Sequence, residues 1–131
     1  MADPVVHFEI IGSDPGGLRD YYGSLFGWQF AVGDTVSESV SEPGNYGFVD
    51  GSTTGDGASP NAGLNGGVGG GKGFAPKAFF YVGVDDVEAA LQKAEELGGT
   101  RVFGPEGKPG FLVVGQFTDP EGNLIGVAGT V

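Results

Sequence analysis

The stretch Phe79–Phe103, FFYVGVDDVEAALQKAEELGGTRVF, decides how this chain is read, because strand, helix and strand follow one another in it in plain succession. Phe79 to Val84 is aromatic and β-branched over the length of a strand, and Asp85 or Asp86 then offers a side-chain oxygen to the orphan N–H groups of a helix start. Val87, Ala90, Leu91, Ala94 and Leu97 recur at helical spacing, while Glu88, Gln92, Lys93, Glu95 and Glu96 occupy the other face. Gly98-Gly99 ends the helix, since glycine tolerates the left-handed cap, and Thr100 to Phe103 reads as the next short strand.

Moving upstream by about 72 residues, the segment His7–Phe30, HFEIIGSDPGGLRDYYGSLFGWQF, is an imperfect copy of the first. Asp14 falls on Asp86, Tyr22 on Ala94, Leu25 on Leu97, Gly27 on Gly99 and Phe30 on Val102, with no gap. Two modules follow from this. Neither is large enough to bury a good core alone, so the expected fold pairs them about a pseudo-two-fold axis, an arrangement that leaves a cleft. The expectation is a single domain over residues 1–131, with one module over about 5–68, a glycine-rich linker over about 51–76 and a second module over about 77–131.

Composition excludes several classes of function. There is no cysteine, which removes disulfides, thiolate zinc sites and cysteine nucleophiles. The N-terminus MADPVVHFEII has no basic region ahead of its apolar run, and that run is too short to span a membrane, so a soluble cytoplasmic protein is expected. A net charge of −11, with 17 acidic and 6 basic residues, repels phosphate backbones and anionic lipid, so neither nucleic acid nor membrane is expected as a partner. The same charge suits a cationic ligand.

In chain order, Val5 to Ile11 is the first strand, with His7, Glu9 and Ile11 on one face and Val6, Phe8 and Ile10 on the other. A helix starts at Asp14-Pro15 and runs to about Leu25, its first turn weakened by Gly16-Gly17 toward fraying or a 3₁₀ start. Trp28 to Val32 reads as the second strand, another strand falls within Thr35 to Val40, and Tyr46 to Val49 follows the Pro43-Gly44-Asn45 turn. Gly51 to Gly73 reads as a mobile glycine-rich loop that contains a short strand around Gly63 to Val68. Its GGVGGGKG segment falls one residue short of a phosphate-binding P-loop, with Gly73 where a magnesium-binding hydroxyl belongs. No helix follows it and Pro76 is close, so phosphate binding is rejected. Gly104 to Gly110 reads as a Pro/Gly loop and Phe111 to Phe117 as a strand. Asp119-Pro120-Glu121-Gly122-Asn123 is a tight turn into a last strand, Leu124 to Ala128.

The segments VVHFEIIGSD, YYGSLFGW, FYVGVDDVEAALQKAEELGG and DPEGNLIGV resemble the vicinal oxygen chelate superfamily, the glyoxalase, bleomycin-resistance and extradiol dioxygenase group. The resemblance implies an α+β, glyoxalase-like fold of two βαβββ modules whose curled sheets enclose a shared cleft, often holding a divalent metal. It places His7 where the first strand of the family carries a histidine ligand. The matching position of the second module is Phe79, the glutamate expected after DPEGNLI is Gly126, and no carboxylate or imidazole stands out around Gly63 to Val68. One surviving ligand of about four does not hold a catalytic ion. Glu9, on the same face as His7, adds at most a weak site.

The candidate catalytic residues are therefore His7 and Glu9, with His7 the only candidate metal ligand. Each has a structural alternative: a neutral, hydrogen-bonded strand histidine, and a carboxylate satisfied by backbone or by His7. The candidate ligand-binding aromatics are Phe79, Tyr81, Trp28, Tyr46, Phe48 and Phe117, which read as core before they read as binding site, except that Phe79 and Tyr81 fit either role equally. Phe79 and Tyr81 share the face turned to the cleft. The first functional expectation is a protein that binds a small apolar or aromatic molecule without a catalytic metal or other cofactor, as the bleomycin-resistance proteins of the family do. The alternative is a divalent-metal-dependent lyase, isomerase or dioxygenase, and a third reading is a structural role with a collapsed cleft. The family, and exposed sheet edges that need covering, point to a homodimer. Phe8 with Ile10 and Phe80 with Val82 are expected beneath the helices. Replacing His7 or Tyr81 should then alter ligand binding, and Phe80→Ala should cost about 3–5 kcal/mol as a core truncation.

Overall fold

The computed structural model describes residues 2–57 and 62–131. Its fold class is α+β, two successive βαβββ modules: β1 Val5–Gly12, α1 Pro15–Phe26, β2 Ala31–Gly33, β3 Tyr46–Val49 and β4 Asn65–Gly70, then β5 Lys77–Gly83, α2 Val87–Glu96, β6 Thr100–Lys108, β7 Leu112–Thr118 and β8 Leu124–Gly129. The chain forms two compact units, an N-terminal unit of His7–Ala78 and a C-terminal unit of Phe79–Val131 joined by Met1–Val6. The N-terminal segment enters the second unit through the Gly83 N–H, which donates to the Pro4 carbonyl at 2.8 Å.

In the N-terminal unit the strand order is β2-β3-β4-β1. β4 lies parallel to β1, His7 opposite Asn65 and Glu9 opposite Gly67, and antiparallel to β3, Phe48 opposite Gly67. Helix α1 begins cleanly at Pro15 without the expected 3₁₀ turn. The Asp14 carboxylate accepts the Gly17 N–H at 3.1 Å, and a Cβ on Gly17 would lie 2.4 Å from that carboxylate, so the glycine is what lets the cap close. The helix ends as its sequence suggests, with Gly27 in the left-handed region at φ 75°.

Three local expectations for this unit are corrected. The second strand starts at Ala31 rather than Trp28, because Trp28 turns back to pack against Phe8, Tyr22 and Phe26, with ring centroids 5.1, 5.5 and 5.2 Å apart. Thr35 to Val40 holds turns and no strand; Val40 is buried there, and the buried Ser41 hydroxyl accepts the Gly70 N–H at 2.9 Å. The glycine-rich loop contains the full-length strand β4 and a short 3₁₀ turn, Gly51–Thr53, while its residues 58–61 lie outside the described residues. Glycine serves in β4 because rings crowd both faces: a Cβ on Gly66 would fall 2.0 Å from the Phe8 ring, and one on Gly67 2.0 Å from that of Tyr46. The P-loop-like segment is thus strand followed by turn, as its rejection anticipated.

The C-terminal unit repeats the pattern in the order β5-β8-β7-β6, with β5 parallel to β8, Tyr81 opposite Gly126. Helix α2 is capped by Asp86, whose carboxylate accepts the Ala89 N–H at 3.0 Å. It buries Val87 and Leu91 completely against Val113 and Val127, with Val84, Ala90 and Phe117 packed around them. Burying two such side chains contributes about 1.5–3 kcal/mol each. The expected apolar stripe ends early, since Leu97 is 71% exposed. Gly104 to Lys108 belongs to a long, bulged β6 instead of a loop; the register shifts between Phe103 and Glu106 absorb the Gly104-Pro105 pair. Asp119 closes the expected turn by accepting the Asn123 and Glu121 N–H groups and the Asn123 side-chain amide, which hold its carboxyl below the ordinary carboxylate range. Phe80 is 38% exposed, so the core role assigned to it is corrected: α2 packs over β6, β7 and β8 and leaves Phe80 of β5 at the margin. Among the described residues no helix is long and apolar enough to cross a membrane.

Candidate functional site

The alternation of β1 sends His7, Glu9 and Ile11 to the face opposite α1, as expected, and Phe8 to the helix face against Trp28. Glu9 is 2% exposed, so its carboxylate needs a partner. It finds one on β3. Tyr46 crosses over the bare backbone of Gly67, and its O–H donates to Glu9 Oε1 at 2.7 Å. His7 Nε2 lies 2.8 Å from the same phenol oxygen. Because the phenol proton is given to Glu9, His7 must be the donor to Tyr46, so its proton sits on Nε2 and its lone pair on Nδ1. Burial lowers the His7 pKa from 6.5 to about 4, which keeps the ring neutral near pH 7 and agrees with that tautomer. The carboxylate, phenol and imidazole thus form one hydrogen-bonded chain. Phe48, next to Tyr46 at 4.7 Å and 40% exposed, flanks it with an apolar surface.

The C-terminal unit has a second arrangement of this kind. Phe79 and Tyr81 share one face of β5, ring centroids 5.3 Å apart, as their spacing requires. Tyr81 lies over Gly126, where a Cβ would fall 2.3 Å from the ring, and its hydroxyl accepts the Gln116 Nε2–H at 2.9 Å. Gln116, 1% exposed, escaped the sequence reading. Its signal lay in the alternation of LVVGQFT, which puts a polar side chain on the face of Val114 while Val113, Gly115 and Phe117 turn toward α2.

Of the sequence candidates, His7, Glu9, Tyr46 and Phe48 come together in one unit, and Phe79 and Tyr81 in the other. Trp28 and Phe117 do not join them. Both stand on the helix faces of their sheets, Trp28 in the Phe8–Tyr22–Phe26 cluster and Phe117 against the α2 core, apart from the other candidates.

The residues present do not fit a catalytic metal. The register makes Gly67 the counterpart of Gly126, because Glu9 faces Gly67 across β1 and β4 as Tyr81 faces Gly126 across β5 and β8. Of the family's four positions, then, Phe79, Gly67 and Gly126 offer no donor atom, and tyrosine rings fill the space beside the two glycines. Among the described residues no group of three or more His, Cys, Asp or Glu could hold an ion.

The architecture is shared with solved structures. It is similar to a methylmalonyl-CoA epimerase in complex with methylmalonyl-CoA and NH4+, at 12% identity over 100% of this chain and 96% of that one, with a TM-score of 0.66. Methylmalonyl-CoA epimerase from Mycobacterium tuberculosis matches at 12% identity over 97% and 87%, with a TM-score of 0.62. The Mn(II)-bound glyoxalase from Novosphingobium aromaticivorans matches at 15% identity over 99% of this chain and 40% of that one, with a TM-score of 0.56. At such identities the likeness is one of fold. No curated protein matches the chain in sequence. The sequence model of one family does match, across residues 5–127, and on that span the chain belongs to the Glyoxalase/Bleomycin resistance protein/Dioxygenase superfamily.

Proposed function

We propose that this chain is a metal-independent member of its superfamily that binds a small, neutral or cationic aromatic molecule. The observation that carries the reading is the pair of tyrosines seated over Gly67 and Gly126: the ligand positions of a metal centre have become aromatic floor. In the N-terminal unit the polar end is the Glu9–Tyr46–His7 chain, whose buried carboxylate favours an electropositive or hydrogen-bond-donating group. Phe48 there, and Phe79 with Tyr81 in the other unit, supply ring faces on which an aromatic ligand stacks. The net charge of −11 disfavours anions in either place.

The second reading, a divalent-metal lyase, isomerase or dioxygenase, draws support from the fold neighbours, one of them a Mn(II)-bound glyoxalase. Elemental analysis of purified protein separates the two. The binding-protein reading expects substoichiometric metal and no change in thermal stability on adding Mn²⁺, Zn²⁺ or a chelator. A stoichiometric divalent ion, removed by chelation with loss of stability, would transfer the case to the enzyme.

A further inference from the structure

Strand β7 carries one side chain that the fold alone does not explain. Val113, Gly115 and Phe117 face α2, and Val114 and Gln116 face the other way, so Gln116 stands where an apolar residue would complete the packing. It is 1% exposed. Its Nε2 donates to the Tyr81 hydroxyl at 2.9 Å, but its Oε1 is buried with no hydrogen-bond partner among the described residues. A carboxamide oxygen taken out of water and left unmatched is costly, and a leucine of similar volume would avoid the cost.

We infer that Gln116 is a ligand-recognition residue, its Oε1 accepting a hydrogen bond from a neutral O–H or N–H group on an aromatic ligand. The inference rests on the aromatic-binding reading above and narrows it to a chemical class. Phe79 and Tyr81, 5.3 Å apart and inclined at 44°, are the buried rings on the same side as the acceptor. Tyr81 is held between the bare backbone of Gly126 and the Gln116 amide, so the acceptor is fixed in place by the same contacts that orient the ring. A neutral amide cannot compensate a desolvated ammonium, and an acceptor repels an anion, which leaves phenols, anilines and aryl amides. Rotating the amide by half a turn would expose Nε2 instead and select an acceptor ligand, so the orientation is itself testable.

The test is titration calorimetry of phenol, toluene and acetophenone against the wild-type chain, Gln116→Leu and Gln116→Met. The wild type should bind phenol roughly tenfold more tightly than toluene, as one neutral hydrogen bond allows, and in both variants that ratio should fall to about one. A ratio near one in the wild type overturns this inference alone, as does a preference for acetophenone, or a phenol preference that survives in the variants. No binding of any of the three at millimolar concentration overturns the aromatic-ligand reading and this inference with it. Should the leucine variant fail to fold, the wild-type ratio and the methionine variant still decide the matter.

Discussion

Each unit lays a tyrosine across a glycine of its last strand, yet the two reach that arrangement from opposite sides. In the N-terminal unit Tyr46 comes from β3 and crosses Gly67 of β4 to meet Glu9 on β1. In the C-terminal unit Tyr81 comes from β5 and crosses Gly126 of β8 to meet Gln116 on β7. The registers match Glu9 with Tyr81 and Phe48 with Gln116, so the repeat keeps the bridge and reverses the direction of the hydroxyl. What the two halves share is the gap that a glycine leaves in a central strand. What they do not share is the polar end, a carboxylate with an imidazole in one and a neutral amide in the other, and that difference sets which ligand group each can hold.

The helices differ as well. α2 buries Val87 and Leu91 completely, whereas α1 fully buries only Pro15 and leaves Tyr21, Leu25 and Phe26 between 56% and 60% exposed. The largest expected effect breaks the units apart on this point. Leu91→Ala should cost about 3–5 kcal/mol in denaturant unfolding, while Leu25→Ala, on the exposed side of α1, should stay within about 0.5 kcal/mol. Equal costs would mean that α1 is covered by something beyond its own unit.

Next in size is a pH dependence confined to the unit that contains His7. Its pKa is depressed by burial from 6.5 to about 4, so the unfolded chain takes up a proton that the fold refuses. Stability should therefore be full above the unfolded value and fall as pH drops from about 6.5 toward 4, by about 3 kcal/mol at roughly 1.4 kcal/mol per unit. Unfolding free energies at several pH values, compared with those of His7→Gln, isolate this contribution from that of the carboxylates. If both proteins lose stability in parallel over that window, His7 is not held neutral by burial.

The smallest effect sharpens the likeness of the two bridges. Gly67→Ala and Gly126→Ala should each cost about 1–3 kcal/mol, since the new methyl overlaps a tyrosine ring. The cost should shrink in the Tyr46→Ser and Tyr81→Ser backgrounds respectively, a coupling that a double-mutant cycle measures. Additive costs would show that the glycines are needed for the backbone rather than for the rings.

Much of the molecule was legible in its residues. The helices were marked by their caps, Asp14 and one of Asp85 and Asp86, and by their apolar spacing. The DPEGN turn and the repeat of His7–Phe30 in the later segment pointed to two βαβββ modules, and strand period alone placed His7 with Glu9 and Phe79 with Tyr81. These features depend on neighbours within about four residues, where local propensity and period dominate. The errors arose wherever a distant side chain overruled a local signal. GGVGG reads as loop until the Phe8 and Tyr46 rings occupy both of its faces, and Trp28 reads as strand until Tyr22 and Phe26 hold it. The Gly-Pro pair of β6 reads as a break until β7 pairs on either side of it. The sequence by itself determined the modules, their order and the inward residues of β1 and β5. The tertiary structure decided the partners of those residues, Tyr46 for Glu9 and Gln116 for Tyr81, because a hydrogen bond across strands depends on register and on the room a glycine leaves, neither of which is written in the spacing of one segment.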